Sequence, residues 1–477
     1  MKKGAIFSIL TILIAIYSLA AATQTITQEE FLSILLKRHP LFEKESLSPT
    51  ISSEGRSVFR GDEDWTLIST LTASHEEPAI SLSGLSRTDA LSYKLGFDRL
   101  IWKTGGKFSA TFETSYSENE ISAQLSLPDP LFQNQLSFRY EQPLLKNRGG
   151  FLDRLEYDLA GYDVDTSDYT SLENQEDFLE SSVEKFLDWA FITEQKRIFA
   201  ERLKLSEEEL ATVIRKRKAF LVDPVDLIRA EDEVRTARQN LVLVESRWKA
   251  LQGELAVLLI DDRIYDLTPE FDLYRRVEML PLSEEVKKLK VSSRAISSLN
   301  TGIERRNLST KAFRESEKPD LSLVTSLNLK EADDDFGNSL GTDRPDLSIG
   351  LNFRYPLGNR AARAEVRRSK LQIVQLTREK EEVEISLVSN LTSLYIQIVE
   401  LVKVLDLNRE QIASAQERTV EELRLYNQGR VELTFVIQSR DNEENAKLTY
   451  AENALTYQKL LVRYRALMDE LLPVGGK

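Results

Sequence analysis

The chain has 477 residues, of which 29% are charged and 41% hydrophobic, and its formal net charge is -14. A negative chain lacks the positive footprint that binds nucleic acid, so nucleic-acid-binding classes are excluded. With no cysteine there is no disulfide, so the fold must be stabilised by packing or by association with other copies.

Residues 1–22 predict a secretory signal peptide. Lys2 and Lys3 form its positive end, residues 5–19 are an apolar run, and Ala20-Ala21-Ala22 offers a small-residue cleavage site. The alternative is an uncleaved anchor helix, for which the run is short beside the ~20 residues that cross a bilayer. Cleavage would leave 61 basic and 77 acidic residues, and therefore a charge of -16.

Residues 23–62 predict an N-terminal helix and a linker, and residues 63–143 predict a first β region. The helix signal is the amphipathic segment 27–39, which stops before Pro40. In the β region, apolar and polar side chains alternate between turn residues, which is the pattern of strands. The alternating apolar positions are Trp65, Leu67, Leu71, Leu91, Tyr93, Leu95, Phe97, Phe108, Ala110, Phe112, Leu136, Phe138 and Tyr140.

Residues 144–262 predict a first long helical hairpin. Residues 162–223 contain neither Gly nor Pro, which allows a helix of roughly 90 Å at ~1.5 Å per residue. Asp223 and Pro224 interrupt it. The return helix carries apolar residues at alternating spacings of three and four, which is coiled-coil geometry. This seam comprises Leu227, Ala230, Val234, Ala237, Leu241, Val244, Trp248, Leu251, Leu255 and Leu258.

The second half of the chain repeats this order. Residues 263–318 predict an equatorial segment and a helix, and residues 319–356 predict a second β region around an acidic loop. Residues 357–472 predict a second long hairpin with its turn at Gly429, followed by a tail at 473–477.

The two halves also share a motif. Phe138-Arg139-Tyr140 precedes Pro143, and Phe353-Arg354-Tyr355 precedes Pro356; a long helix follows each proline. Proline ends strand pairing and presets a turn, so Pro143 and Pro356 are predicted as strand-to-helix exits. The common order favours internal duplication over chance.

Four to six predicted strands are too few for a membrane barrel made by one chain, which needs ~8 or more. Unpaired strand edges do not occur in lipid. The long hairpins likewise have no globular body in this sequence on which to bury their apolar seams. A closed ring of identical copies would satisfy the strands and the helices together.

In several segments the sequence resembles the TolC-like outer-membrane efflux protein family. The order of these segments extends over nearly the whole chain after the signal peptide. They are Ile26-Thr27-Gln28-Glu29-Glu30, Arg38-His39-Pro40-Leu41, Tyr140-Glu141-Gln142-Pro143-Leu144-Leu145, Asp226-Leu227-Ile228-Arg229-Ala230-Glu231, Lys318-Pro319-Asp320-Leu321-Ser322-Leu323 and Tyr426-Asn427-Gln428-Gly429.

The resemblance implies a mainly α-helical fold with a membrane β-barrel portion, built from a duplicated strand-strand-hairpin repeat. It implies a homotrimer in outer-membrane lipid, with a shared 12-stranded barrel and an α-helical tunnel through the periplasm. The implied partners are a periplasmic adaptor (membrane fusion protein) and an inner-membrane pump or exporter, and the chain would be the passive exit duct of a tripartite efflux or type I secretion system.

The first repeat departs from this pattern. The second repeat has a helix at 286–313 before its strands, whereas the first has residues 42–64, rich in Ser, Gly and charge, and then extra strand-like sequence at about 65–101. We therefore expect the first repeat to lack a helix, so that the tunnel wall has fewer helices or a β-like replacement.

The hairpin tips are the candidate gate or adaptor-docking sites. Asp223 and Asp226, on either side of Pro224 and Val225, would form acidic rings in a symmetric bore. The alternative is turn capping by the same two acids. At the second tip the candidates are Gly429, Thr434 and Ile437. Many members of the family carry acids at the positions that match Thr434 and Ile437, and this chain does not. The basic run Arg215-Lys216-Arg217-Lys218 is a solvated helix face or an aid to adaptor docking.

The remaining motifs point away from catalysis. Trp65, Trp102, Tyr93 and Tyr140 are candidates for aromatic belts at the membrane interfaces, with ordinary sheet packing as the alternative. His39 and His75 are far apart in the sequence, and no nucleophile, phosphate-loop or metal-ligand pattern is present, so we expect no enzyme, cofactor or metal site. The alternative to a duct is a non-conducting periplasmic coiled-coil structural or interaction protein.

Overall fold

The computed structural model describes residues 24–77, 85–121, 129–341 and 344–472. The predicted signal peptide (1–22) and tail (473–477) lie outside these residues. The chain divides into two compact units. The helical unit contains the described residues up to Ser46 together with Thr170–Arg294 and Val383 onward, and the sheet unit contains Leu47–Tyr169 and Ala295–Glu382.

The sheet unit is built around six strands in the described part of the chain. They are β2 Thr66–Glu76, β3 Leu85–Ile101, β4 Gly106–Ile121, β5 Leu131–Pro143, β7 Asp320–Asp333 and β8 Arg344–Arg354. Their order across the sheet is β2-β3-β4-β5-β7-β8, and every neighbouring pair is antiparallel. The β5–β7 pair therefore joins the two halves of the sequence. A 12-stranded trimeric barrel would need four strands per chain, two fewer than this sheet has.

The two faces of the sheet differ in chemical character along the lines that cross its middle. One line of residues that lie opposite one another crosses all six strands through the apolar residues Leu67, Phe97, Ala110, Phe138, Leu327 and Leu347. The next line crosses them through the polar residues Thr66, Asp98, Ser109, Arg139, Ser326 and Ser348. Successive side chains of a strand point to opposite faces, so the sheet has an apolar face and a polar face.

The expectation that the first repeat lacks a helix is wrong. Residues Gln28–Arg38 form α1, residues Pro40–Val58 form α2, and a 3₁₀ turn spans Phe59–Glu63. The Ser- and Gly-rich composition of α2 lowers its intrinsic helix propensity. Tertiary contacts compensate: Phe42 is buried with its ring 5.7 Å from that of Phe178, and the Arg56 guanidinium lies 4.1 Å above the ring of Tyr157. The additional β2–β3 hairpin therefore follows a helix and does not replace one.

Two long hairpins supply most of the helical structure. The first is α3 Leu155–Lys218 with α4 Pro224–Leu259, and the second is α8 Arg360–Asn427 with α9 Leu433–Leu467. Between them lie a 3₁₀ turn at Asp262–Asp266, strand β6 Leu267–Glu270, α5 Leu282–Ser292 and α6 Arg294–Ser316; a four-residue helix, α7 Phe336–Ser339, follows β7. Strand β1 Gln24–Thr27 pairs parallel with β6.

Within the helical unit, the predicted seams enter the core. Leu391, Ile398 and Leu405 of α8 are buried against Tyr457 and Leu461 of α9. A second cluster contains Phe31, Leu35, Phe186, Trp189, Leu255 and Leu259. Burial of these apolar surfaces is what holds such long helices together, since an isolated helix is marginal in water.

Helix α8 also contains an 18-residue window that is apolar enough, by length and composition, to cross a membrane. Only 11% of that window is buried inside the chain. The exposed side of α8 includes Ile385, Ile396 and Leu407, which are 11 residues apart and so lie on one helix face. This face is a second apolar stripe, distinct from the buried seam.

Candidate functional sites: the hairpin tips and the two-faced sheet

The two hairpin tips have the same turn. Phe220 in the first tip and Gly429 in the second have left-handed backbones, with φ values of 59° and 70°. The next residue in each case donates its amide hydrogen five residues back: Leu221 N to Lys216 O at 2.9 Å, and Arg430 N to Leu425 O at 3.0 Å. These are helix C-terminal caps of the Schellman type, which satisfy carbonyls that the helix leaves free. The predicted turn residue Gly429 thus lies where the backbone requires φ > 0.

Because the two turns are equivalent, one acidic residue of each tip occupies the same position. Three residues after the left-handed residue, Asp223 and Glu432 occupy the same N-cap position, with extended backbones and no capping hydrogen bond from either side chain. Asp223 therefore does not act as a side-chain cap. The sequence prediction missed Glu432, and the signal was present: it precedes Leu433 as Asp223 precedes Pro224.

The carboxylate of Asp226 is less free to interact with ions or a partner than that of Asp223. Its amide donates to Asp223 O at 3.2 Å, and its carboxylate accepts from Arg229 at 3.3 Å. Arg229 also lies 4.0 Å from Glu432 of the other hairpin. One arginine thus partly neutralises an acid from each tip, while Asp223 stays exposed.

The tips pack on each other through an apolar cluster. Val213, Ala230, Tyr426, Leu433 and Val436 are buried there. Val222 and Ile437 pack against its edge, so Ile437 is a half-buried packing residue, whereas Thr434 is exposed. The cluster brings the two separately predicted tips together as one surface.

Lys216 reinforces this contact. Its Nζ lies 3.6 Å from the centroid of the Tyr426 ring and donates to the Tyr426 carbonyl oxygen at 3.3 Å. Burial lowers the pKa of Lys216, and burial together with the charge of Asp226 raises the pKa of Tyr426. One member of the basic run is therefore engaged between the hairpins, and the run is not a uniform solvated face.

Exposed apolar side chains cover the outside of the tips. Phe220 is 89% exposed and Leu221 is 73% exposed, and Phe435 of the second hairpin is half exposed. These residues were not among the predicted sites, because the predicted tip residues were the acids and the proline of the turn. Two large apolar residues directly before Val222 and Asp223 were the available signal.

Behind the tips, an ion network links three helices. Arg202 of α3 is buried and pairs with Glu233 of α4, and with Asp441 (3.0 Å) and Glu444 (3.5 Å) of α9. Burial raises the pKa values of Glu233 and Glu444, although Arg202 opposes the shift. Ion pairs as well as apolar packing therefore fix the positions of α3, α4 and α9 relative to one another.

The strand-to-helix exits match in both repeats. Pro143 is the last residue of β5, and Pro356 follows β8. Asn147 and Asn359, three or four residues later, both have left-handed backbones, with φ values of 62° and 40°. Asn147 Nδ2 donates to Asp153 at 2.8 Å, and Asn359 Nδ2 donates to the Glu317 carbonyl at 3.0 Å. Asparagine tolerates this backbone better than other non-glycine residues.

The aromatic candidates occupy different environments. Tyr93 and Tyr140 lie on the apolar face by register. Trp65 directly precedes β2, and its ring packs edge-on at 5.9 Å against Phe108, the register partner of Tyr140. Trp102 lies in the β3–β4 turn with its ring 5.6 Å from Tyr157.

His39 packs against the Phe178 ring at 4.4 Å, and His75 hydrogen-bonds to Asp89. In the described part of the chain, no three His, Asp or Glu residues gather as a metal site would require.

No protein-family model and no curated protein matches the chain. Solved structures do match. A membrane protein from Pseudomonas aeruginosa aligns over 93% of this chain and 91% of its own, with a TM-score of 0.67 and 14% identity. The open state of the Neisseria gonorrhoeae MtrE outer membrane channel aligns over 93% and 89%, with a TM-score of 0.65 and 16% identity. The Campylobacter jejuni CmeC outer membrane channel aligns over 94% and 87%, with a TM-score of 0.64 and 13% identity. The chain therefore has the TolC-like fold that the sequence resemblance implied.

Proposed function

We propose that the chain is the outer-membrane subunit of a tripartite efflux or type I secretion system. It acts as a passive exit duct, a homotrimer in outer-membrane lipid that extends into the periplasm. A periplasmic adaptor and an inner-membrane pump or exporter supply the cargo and the energy, and the chain itself is not an enzyme.

The two-faced sheet is the observation that carries this proposal. A lipid-facing barrel strand alternates apolar-out and polar-in, and the two register lines across the sheet have this alternation on every strand. Each strand has at least 11 residues, and 9–11 tilted residues are about what an outer membrane needs. Leu67 and Leu347 are each more than 60% exposed, which is costly in water and favourable in lipid.

The helices support association of copies. The exposed stripe of Ile385, Ile396 and Leu407 has no cover within the described chain, because the partner helix α9 takes the other seam. A neighbouring copy would bury this stripe, and cyclic symmetry would repeat the contact until the ring closes.

The tip surface is proposed to dock the adaptor and to narrow the bore. Phe220, Leu221 and Phe435 offer the apolar contacts, and Asp223 with Glu432 would form the acidic rings. Pro224, Gly429 and the apolar cluster against which Ile437 packs hold this surface in shape.

Membrane fractionation and conductance test the proposal. The protein should be extracted from the outer membrane only with detergent, should have the mass of three copies, and should form conducting pores in planar bilayers. A soluble monomer after osmotic release would overturn the proposal and favour the non-conducting periplasmic coiled coil.

A further inference from the structure

We propose that strand β2 of one copy pairs antiparallel with strand β8 of the next, so that three copies close an 18-stranded barrel. The resemblance implies 12 strands, and the difference is the β2–β3 hairpin. The inference rests on the proposed function, because that function places the sheet in lipid and sets the number of copies at three.

The two edges of the sheet are matched. Strands β2 and β8 are the first and last in the sheet order, each has 11 residues, and every residue of both is exposed. Six antiparallel strands leave β2 and β8 running in opposite directions, so β8 of one copy meets β2 of the next antiparallel. An unpaired edge carries free N–H and C=O groups, which lipid does not tolerate.

Aligning the strands centre to centre also matches their chemistry. It sets Leu71 opposite Ile349 and Leu67 opposite Phe353 on the apolar face, and Glu76 opposite Arg344 on the polar face. A slip of one residue would set apolar side chains against polar ones and turn one strand inside out.

The stagger of the sheet is that of a closed barrel. The polar register line starts at Thr66, the first residue of β2, and reaches β8 at Ser348, whereas β8 ends at Arg354. Relative to this register line, the end of β8 is therefore displaced by six residues from the end of β2 on the same side of the sheet. Centre-to-centre pairing carries this shift into the next copy, since Ser348 then meets Thr72, six residues beyond Thr66. Three copies give a shear equal to the strand number, the ratio at which an eight-stranded barrel tilts its strands by about 36°.

The hairpin cannot be left outside such a barrel without breaking the sheet. Strand β3 pairs with β4 from Leu85–Ile121 to Ile101–Gly106, over the whole length of both strands. Strand β4 therefore has no free edge with which to meet β8 of a neighbour. A 12-stranded ring would require these two strands to separate.

Disulfide trapping tests the pairing between β2 and β8. The chain has no cysteine, so the introduced cysteines have no native thiol with which to pair. In the full-length protein in outer membranes, the double variant Leu71→Cys/Ile349→Cys is oxidised and separated on a non-reducing denaturing gel. Neighbouring cross-strand pairs alternate in side-chain separation, so Thr72→Cys/Ser348→Cys supplies the adjacent pair of the same register. The off-register control is Leu71→Cys/Phe353→Cys. The native mass of each reduced variant is measured in detergent.

We expect at least one in-register variant to form a covalent trimer that reductant dissolves, and the off-register control to stay monomeric on the gel. If both in-register variants keep the native trimer mass but do not cross-link, or if only the control cross-links, the pairing is overturned. A cross-linked ladder that closes at another number of copies would keep the β2–β8 pairing and overturn the trimer and the count of 18. A monomeric native mass would defeat the proposed function and this inference together.

Discussion

The Nζ of Lys216 lies 3.6 Å from the centre of the Tyr426 ring, and this contact joins the two helical hairpins one turn behind their tips. The same ammonium donates a hydrogen bond to the Tyr426 carbonyl oxygen near the C-terminal end of α8. One side chain therefore contacts both the backbone and the ring of the other hairpin. The Lys216 ammonium over the Tyr426 ring thus adds to the apolar cluster that holds the two tips together.

Replacing this cation should loosen the tips. A cation–π contact contributes about 0.5–2 kcal/mol, and Lys216→Met removes it together with the bond to the carbonyl. We expect larger or more frequent openings in planar-bilayer recordings. Lys218→Met, which changes an exposed residue of the same helix turn, is the control. Equal conductance of the two variants would rule out a locking role for Lys216.

The two acids at the first tip should differ in their effect on ion selectivity. Asp223 is exposed and does not cap its helix, whereas Asp226 is paired with Arg229. Asp223→Asn should therefore reduce cation selectivity, measured as a reversal potential in a salt gradient, more than Asp226→Asn does. An unchanged reversal potential in the double variant Asp223→Asn/Glu432→Gln would remove the acidic-ring hypothesis.

Arg202 should be essential to the stability of the helical unit. Arg202→Met leaves the partly buried carboxylates of Glu233 and Glu444 without their cation, a loss of up to about 3–5 kcal/mol. The apparent melting temperature of the detergent-extracted protein should fall markedly. Lys204→Met changes an exposed residue of the same helix and should have little effect. If the two variants melt alike, the network does not stabilise the fold.

The same carboxyl groups predict a pH dependence. The pKa values of Glu233 and Glu444 are raised above the ordinary value of 4.5, chiefly by burial. Between 4.5 and the raised values, the folded chain holds protons that the unfolded chain has released, so the free energy of unfolding falls as pH rises. The stability gained on going from about pH 7 to about pH 5 should therefore be smaller in Glu233→Gln/Glu444→Gln than in the unmodified chain. An identical change in melting temperature in both proteins would contradict the shift.

The loop after β5 depends on two adjacent glycines to different degrees. Gly149 and Gly150 both have positive φ, but a Cβ on Gly150 would collide with the Trp102 carbonyl oxygen, whereas one on Gly149 would meet nothing within 4 Å. Gly149→Ala should cost about 1–2 kcal/mol from the backbone alone, and Gly150→Ala should cost more. The resistance of the oligomer to heat on a denaturing gel measures both. Greater loss in Gly149→Ala would show that the Trp102 contact is not tight.

Local patterns predicted a large part of this fold. The alternation at residues 91–97 and 108–112 predicted β3 and β4, because strand side chains repeat every two residues. The helix seams were visible because residues such as Leu391 and Ile398 recur at helical spacing and become buried. Gly429 was visible because a left-handed turn favours glycine. The equivalent residue Phe220 was not, since a bulky side chain is an unusual choice for the same backbone.

The amino-acid sequence by itself determined the local periods of the chain, the proline exits and the position of both tips, since each depends on residues near one another. Only the tertiary structure decided that α2 is a helix, because Phe42 and Arg56 find their partners at Phe178 and Tyr157, more than 100 residues away. It also decided that β5 pairs with β7, leaving β2 and β8 as the two edges. Strand neighbours and register depend on contacts between distant segments, which the period of a single strand does not encode.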